Sequence, residues 1–148
     1  MSDTSAVEIL LVEDNPQDVE LTLRALRKAN VTNRILVAHD GEEALQFIFC
    51  EGPHAERKIE DGPRVVLLDL KLPKVDGLEV LKRLKADPRT ASIPIVVLSS
   101  SQEERDLAAS YKLGVNSYVV KSMDFDQFAE TVGLLGQYWI QLNQTPRP

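Results

Sequence analysis

A chain of 148 residues suits one domain of ordinary size, and 43% apolar beside 27% charged residues describes a soluble globular protein rather than a disordered one. A net charge of −6 argues against nucleic acid as a direct partner, and no apolar run approaches the length of a membrane span. The polar start Met1-Ser2-Asp3-Thr4-Ser5 lacks the basic and apolar regions of a signal peptide. The lone Cys50 excludes an intramolecular disulfide and fits a reducing cytoplasm, and with only His39 and His54 beside it argues against a zinc site.

In chain order, Glu8-Ile9-Leu10-Leu11-Val12 is an apolar run that ends in Glu13-Asp14-Asn15-Pro16. Asn15-Pro16 reads as a helix start, and Val19, Leu23 and Leu26 recur at helical spacing up to about Asn30. Arg34 to Ala38 is a second strand, and Asp40-Gly41 opens a helix carrying Ala44, Leu45 and Ile48. From Glu51 to Arg64 the periodicity fails between Gly52-Pro53 and Gly62-Pro63, which marks a surface loop and not a domain boundary. Val65-Val66-Leu67-Leu68-Asp69 has the unbroken apolar run of a strand buried on both faces. Asp76-Gly77 opens a third helix that ends near Asp87-Pro88. Ile95 to Leu98 is a fourth strand leaving through Ser99-Ser100-Ser101, Gln102 to Leu113 is helical, and Gly114 stops it. Ser117 to Val120 is a fifth strand ending in Lys121, a last helix runs from about Asp124 to Leu142, and Thr145 to Pro148 is a frayed tail.

Strand and helix alternate five times, the pattern of an α/β fold with a parallel sheet between helices and a single domain core from about residue 7 to 142. Parallel strands bring their carboxyl ends to one edge, where open sheets of this kind bind ligands. Glu13 and Asp14, Asp69, Ser99 and Lys121 all fall there. Carboxylates crowded into one cleft need a divalent cation or a lysine to stay ionised cheaply, and all-oxygen ligation suits Mg²⁺. A hydroxyl and an ammonium opposite the metal are what a phosphoryl group requires, and an aspartate in the middle is a possible oxygen nucleophile.

With those residues in hand the chain resembles the receiver domain of two-component response regulators, from roughly Val7 to Trp139. The matching elements are Leu-Leu-Val-Glu-Asp at 10–14, Leu-Leu-Asp at 67–69, Pro73, Asp76-Gly77, Ser99 and Val-Lys at 120–121. The resemblance implies a flavodoxin-like doubly wound sheet of order 2-1-3-4-5 with five helices. It also implies Asp69 as phosphoacceptor, Asp14 and Asp69 as direct Mg²⁺ ligands, Glu13 acting through water, and the Lys71 carbonyl as a further ligand. Ser99 would bind the phosphoryl group, Lys121 would pair with it, the Ser100 backbone N–H would contribute, and Tyr118 would be the aromatic switch. The Lys71 side chain could screen attacking water. The loop at 51–64, the Asp-Leu-Lys-Leu-Pro wording and the aromatic last helix are similar to single-domain regulators that partner phytochrome-type histidine kinases.

The chain departs from the family where Lys121 is followed by Ser122 instead of proline. Receiver domains hold that bond cis, at a cost of about 2.5–4 kcal/mol without proline. Either the bond is trans and the loop is rebuilt, or the site holds it cis under strain; the need to aim Lys121 at the phosphoryl site favours cis.

On the last helix, Phe125, Phe128, Val132, Leu135 and Trp139 form a stripe expected to face the core, and Leu134, Tyr138 and Leu142 form a second. The surplus apolar surface suggests a homodimer through this helix and the fifth strand. The function expected is a stand-alone cytoplasmic receiver that takes a phosphoryl group from a histidine kinase and is no enzyme beyond slow loss of that group. The rival readings are a phosphatase with an aspartyl nucleophile, a flavodoxin-like cofactor binder and a degenerate receiver that only docks. Lys71 stands where the phosphatase needs a second aspartate, three carboxylates repel a flavin phosphate, and the complete acceptor set argues against degeneracy.

Overall fold

The computed structural model of the chain describes residues 7–146, so the expectations for Met1 to Ser5 and for the last two residues of the tail lie outside the described residues. Its strands are β1 (Ile9–Val12), β2 (Ile35–Ala38), β3 (Val65–Leu68), β4 (Ile95–Ser99) and β5 (Ser117–Val120). Its helices are α1 (Pro16–Lys28), α2 (Gly41–Ile48), α3 (Gly77–Ala86), α4 (Glu104–Lys112) and α5 (Phe125–Gly136). The strands form one parallel sheet in the order β2-β1-β3-β4-β5, the doubly wound order that the family resemblance implied. Among the described residues no helix is long and apolar enough to cross a membrane.

The alternation of side chains along each strand divides the core in two. Leu10, Val12, Val66, Leu68, Ile95 and Val97 point to the face covered by α2 and α3, where Phe47, Val80, Leu81 and Leu84 meet them. Ile9, Leu11, Val65, Leu67, Val96 and Leu98 point to the other face and pack against Leu26, Phe128 and Val132 of α1 and α5. The inner strands β1, β3 and β4 are buried along their whole length, as unbroken apolar runs require, whereas β2 and β5 at the edges are only partly covered.

Helix starts follow from local chemistry. The side chains of Asn15, Asp40, Asp76 and Asp124 each accept a backbone N–H in the first turn of the following helix. The loop between α2 and β3 is ordered by Arg57, whose guanidinium lies 3.8 Å above the centre of the Phe47 ring and donates to the carbonyls of Phe47 and Asp61. That loop includes two short 3-10 turns, Gly52–His54 and Ile59–Asp61.

The last helix differs from expectation in two ways. It is α-helical only to Gly136 and continues as a π-helical segment, Gln137–Leu142. A side chain at Gly136 would meet Leu26 of α1 at 2.6 Å, so glycine permits the close approach of α5 to α1. The expected core stripe is also wrong at one end: Phe125 is 70% exposed, while Phe128, Val132 and Ile140 are buried and Leu135 and Trp139 partly so. Phe125 is the first residue of α5 and lines a shallow cleft with Pro16, Gln17, Glu20 and Leu21 of α1, beyond the reach of the sheet core. Leu134, Tyr138 and Leu142 are exposed, as the second stripe suggested.

Candidate functional site

Glu13, Asp14, Asp69, Ser99 and Lys121 each sit at the end of a strand or one or two residues past it, and the backbone ladder carries on just far enough to fix them. Glu13 N–H donates to the Ala38 carbonyl at 3.0 Å, Asp69 N–H to Val12 at 3.0 Å, and Lys121 N–H to Ser99 at 2.7 Å. The four strand ends therefore lie side by side at the carboxyl edge of the sheet. Behind Asp69, Gly77 packs so closely that a β-carbon there would lie 2.4 Å from the Asp69 carbonyl oxygen. Only glycine lets α3 begin against the strand end that presents Asp69.

Glu13, Asp14 and Asp69 each offer a carboxylate oxygen, and these oxygens lie within 4.8 Å of one another. Glu13 is buried, Asp69 half-buried and Asp14 exposed. The Lys121 ammonium donates to Glu13 Oε1 at 2.6 Å, Asp18 Oδ2 at 2.9 Å and Asp69 Oδ2 at 3.2 Å, which uses all three of its N–H groups. Burial pushes the Glu13 carboxyl up to about 7; the Lys121 hydrogen bond opposes this and the neighbouring Asp69 charge adds to it. Burial works against the charge on Lys121, but hydrogen bonds to Glu13 and Asp18 and the Asp69 charge outweigh it and raise its pKa. Three converging carboxylates, one of them buried with its pKa pushed up, are the donor set a hard dication relieves, so these residues fit Mg²⁺ or a similar ion.

The remaining expected residues also fall at this edge. Lys71 is exposed, and its backbone N–H donates to Asp69 Oδ1 at 3.3 Å. Ser99 is fully buried, and its hydroxyl oxygen accepts the Ser101 N–H at 3.2 Å. Ser100 is exposed at the bend after β4. Tyr118 is half-buried against the α2/α3 core, and its hydroxyl donates to the Ser101 carbonyl at 3.0 Å.

Two corrections concern Lys121 and its surroundings. The Lys121–Ser122 bond is trans, since no cis peptide bond occurs among the described residues. The ammonium nevertheless reaches the acidic cluster, so a trans bond satisfies the requirement that motivated the cis expectation. Asp18 joins the site without having been singled out by the sequence. It sits in the first turn of α1, where an acidic residue is ordinarily explained by the helix dipole alone, and only its 2.9 Å contact with Lys121 draws it in. Ser101 is buried, and its hydroxyl donates to Asp106 Oδ2 at 2.5 Å.

A parallel sheet of this order with an acidic cluster facing a lysine defines the class, and comparison with known proteins agrees. Residues 9–133 match the model of the response regulator receiver domain. The chain belongs to that family, and so to two-component signalling. It is 42% identical to the probable methanogenesis regulatory protein FilR2 of Methanothrix harundinacea, over 95% of this chain and 88% of that one. The structure is similar to that of the phosphorylated cyanobacterial phytochrome response regulator RcpA, with a TM-score of 0.88 and 39% identity over 96% of this chain and 99% of the other. It is also similar to the Mn²⁺-bound form of response regulator Rcp1, a protein of Synechocystis, with a TM-score of 0.86 and 36% identity over 93% of this chain and 97% of the other.

Proposed function

We propose that this chain accepts a phosphoryl group on Asp69 from the phosphohistidine of a histidine kinase, with Mg²⁺, and signals through the face formed by β4, β5 and α5. The observation that carries the reading is the meeting of Glu13, Asp14 and Asp69 with the Lys121 ammonium at one sheet edge. An Asp69 carboxylate oxygen bonds to phosphorus as the phosphorus–nitrogen bond of the donor breaks, and the imidazole leaves with the bonding pair and takes up a proton. Glu13, Asp14 and Asp69, with the Lys71 carbonyl, would hold Mg²⁺, which neutralises charge on the phosphoryl oxygens when bound.

The chain's own groups do the rest. Lys121 already touches Asp69 Oδ2 and is placed to pair with an incoming phosphoryl oxygen. The buried Ser99 hydroxyl and the Ser100 N–H are the neutral donors on the β4 side. The acyl phosphate adds nearly two negative charges beside them. A Ser99 that turns toward those oxygens loosens its contact with Ser101, whose carbonyl holds the Tyr118 hydroxyl. That chain of contacts supports a two-state loop after β4 with Tyr118 as its reporter. The exposed Lys71 side chain screens Asp69 from attacking water, which keeps hydrolysis slow; beyond that slow loss the protein is no enzyme.

The similarity to the phytochrome response regulator RcpA supports a phytochrome-type kinase as donor, and the match to RcpA and Rcp1 along nearly their whole length supports a receiver of their type. Exposed Leu134, Tyr138 and Leu142, with Val120 at the end of β5, support self-association through α5 and β5.

Incubation with acetyl phosphate and Mg²⁺, followed by intact mass, tests the reading. A lasting single adduct is expected. Rapid consumption of the donor without an adduct would favour a phosphatase, and neither adduct nor turnover would favour a docking module.

A further inference from the structure

We propose that Asp18 is a positioning residue for Lys121, holding the ammonium in place while its other partners change. The inference rests on the phosphoryl-acceptor reading of Asp69. Lys121 leaves the sheet from β5, an edge strand whose last residue, Val120, is 40% exposed, and its charge rides on a flexible four-carbon stem. Three carboxylates fix that charge in the structure. Two of them, Glu13 and Asp69, belong to the cluster of converging oxygens that suits a cation, and both would turn to new partners once metal and phosphoryl group arrive. Asp18 stands outside that cluster. Its backbone is anchored by an N–H donated to Asn15 Oδ1 at 3.1 Å, and its carboxylate meets Lys121 across 103 residues of sequence.

Asp18 is therefore the one partner that keeps its place through the reaction. It confines the ammonium to the space beside Asp69 and leaves the remaining N–H groups for phosphoryl oxygens. The carboxylate of α1 helps to aim this lysine, 2.9 Å from its ammonium. A misplacement on the order of 1 Å at such a group is enough to slow a reaction substantially.

The test compares wild type, Asp18→Ala, Asp18→Asn, Lys121→Ala and the Asp18→Ala/Lys121→Ala pair. The donor is phosphoramidate at saturating Mg²⁺, small enough that kinase docking plays no part, and adduct formation is read by intact mass. Asp18→Ala is expected to slow adduct formation about tenfold. Asp18→Asn, which keeps an oxygen acceptor, should restore most of the rate, and Asp18→Ala should add nothing once Lys121 is gone. Independently of reaction, the slowly exchanging ¹⁵N ammonium signal of Lys121 should be seen in wild type and Asp18→Asn and lost in Asp18→Ala. An undiminished rate in Asp18→Ala, or an equal loss with and without Lys121, overturns the proposal. A wild type that forms no adduct instead overturns the acceptor reading, and the ammonium signal then decides the Asp18–Lys121 contact alone.

Discussion

The Tyr118 hydroxyl donates to the carbonyl of Ser101 at 3.0 Å, and so ties β5 to the loop that follows Ser99. Ser101 closes the link from the other side by donating its N–H to the Ser99 hydroxyl at 3.2 Å. One hydrogen bond of this kind contributes about 0.5–1.5 kcal/mol. Tyr118→Phe is expected to lower unfolding stability by that amount, read by urea denaturation. Backbone amides from Ser100 to Glu104 should exchange hydrogen faster in the same variant, while those of β1 and β3 stay unchanged.

Gly77 makes a sharper demand. A β-carbon there collides with the Asp69 carbonyl at 2.4 Å and with the Leu70 α-carbon at 2.5 Å, both backbone atoms that cannot swing aside. Gly77→Ala should destabilise the fold by about 1–3 kcal/mol, the ordinary range for overpacking. Because the strain falls on the backbone of Asp69 itself, the proposed phosphoryl acceptance should fall as well, in protein that stays folded by circular dichroism.

The pH dependence follows from Glu13. Burial raises its carboxyl to about 7 from an ordinary 4.5. Between those values the metal-free folded protein holds a proton that the unfolded chain has released, so stability falls as pH rises through that window and levels off above it. The effect is on the order of a few kcal/mol at most. Urea unfolding of metal-free protein should give higher stability near the acid end of the window, and Glu13→Gln should flatten the difference. Mg²⁺ should reverse the trend, since a cation displaces that proton, and its affinity should rise with pH through the same range.

Most of this site is legible in the amino-acid order because the sheet is parallel. Leu11-Val12-Glu13 and Leu67-Leu68-Asp69 each switch from buried apolar to acidic at the same register, with Val12 beside Leu68. Two strands so matched must present their carboxylates together. Ser99 and Lys121 follow by the same rule, with Ser99 paired to Val120. Asp18 escapes the rule because it comes from a helix, and its partner is fixed only when α1 packs against α5 and brings Asp18 to the lysine that follows β5. Phe125 misleads for a related reason: it lies three residues before Phe128 at helical spacing, but the helix begins there, outside the core. The Lys121–Ser122 bond misleads because the lysine's aim depends on three distant carboxylates, which no local pattern records.

Self-association has its own test. Leu134, Tyr138 and Leu142 are 60%, 49% and 69% exposed, an apolar burden concentrated on the last helical stretch of the chain. Sedimentation velocity should find a dimer at micromolar concentration. Leu134→Glu combined with Leu142→Glu should leave a monomer with unchanged thermal stability, because neither side chain supports the core.

The central claim is that Asp69 is the residue that carries the phosphoryl group. After reaction with acetyl phosphate and Mg²⁺, borohydride reduction converts an aspartyl phosphate to homoserine, and peptide mass mapping locates it. Homoserine is expected at position 69 and at no other aspartate, with none formed in Asp69→Asn or when Mg²⁺ is chelated. Homoserine at Asp14 or Asp18 with position 69 intact, or an adduct that persists in Asp69→Asn, would contradict the account.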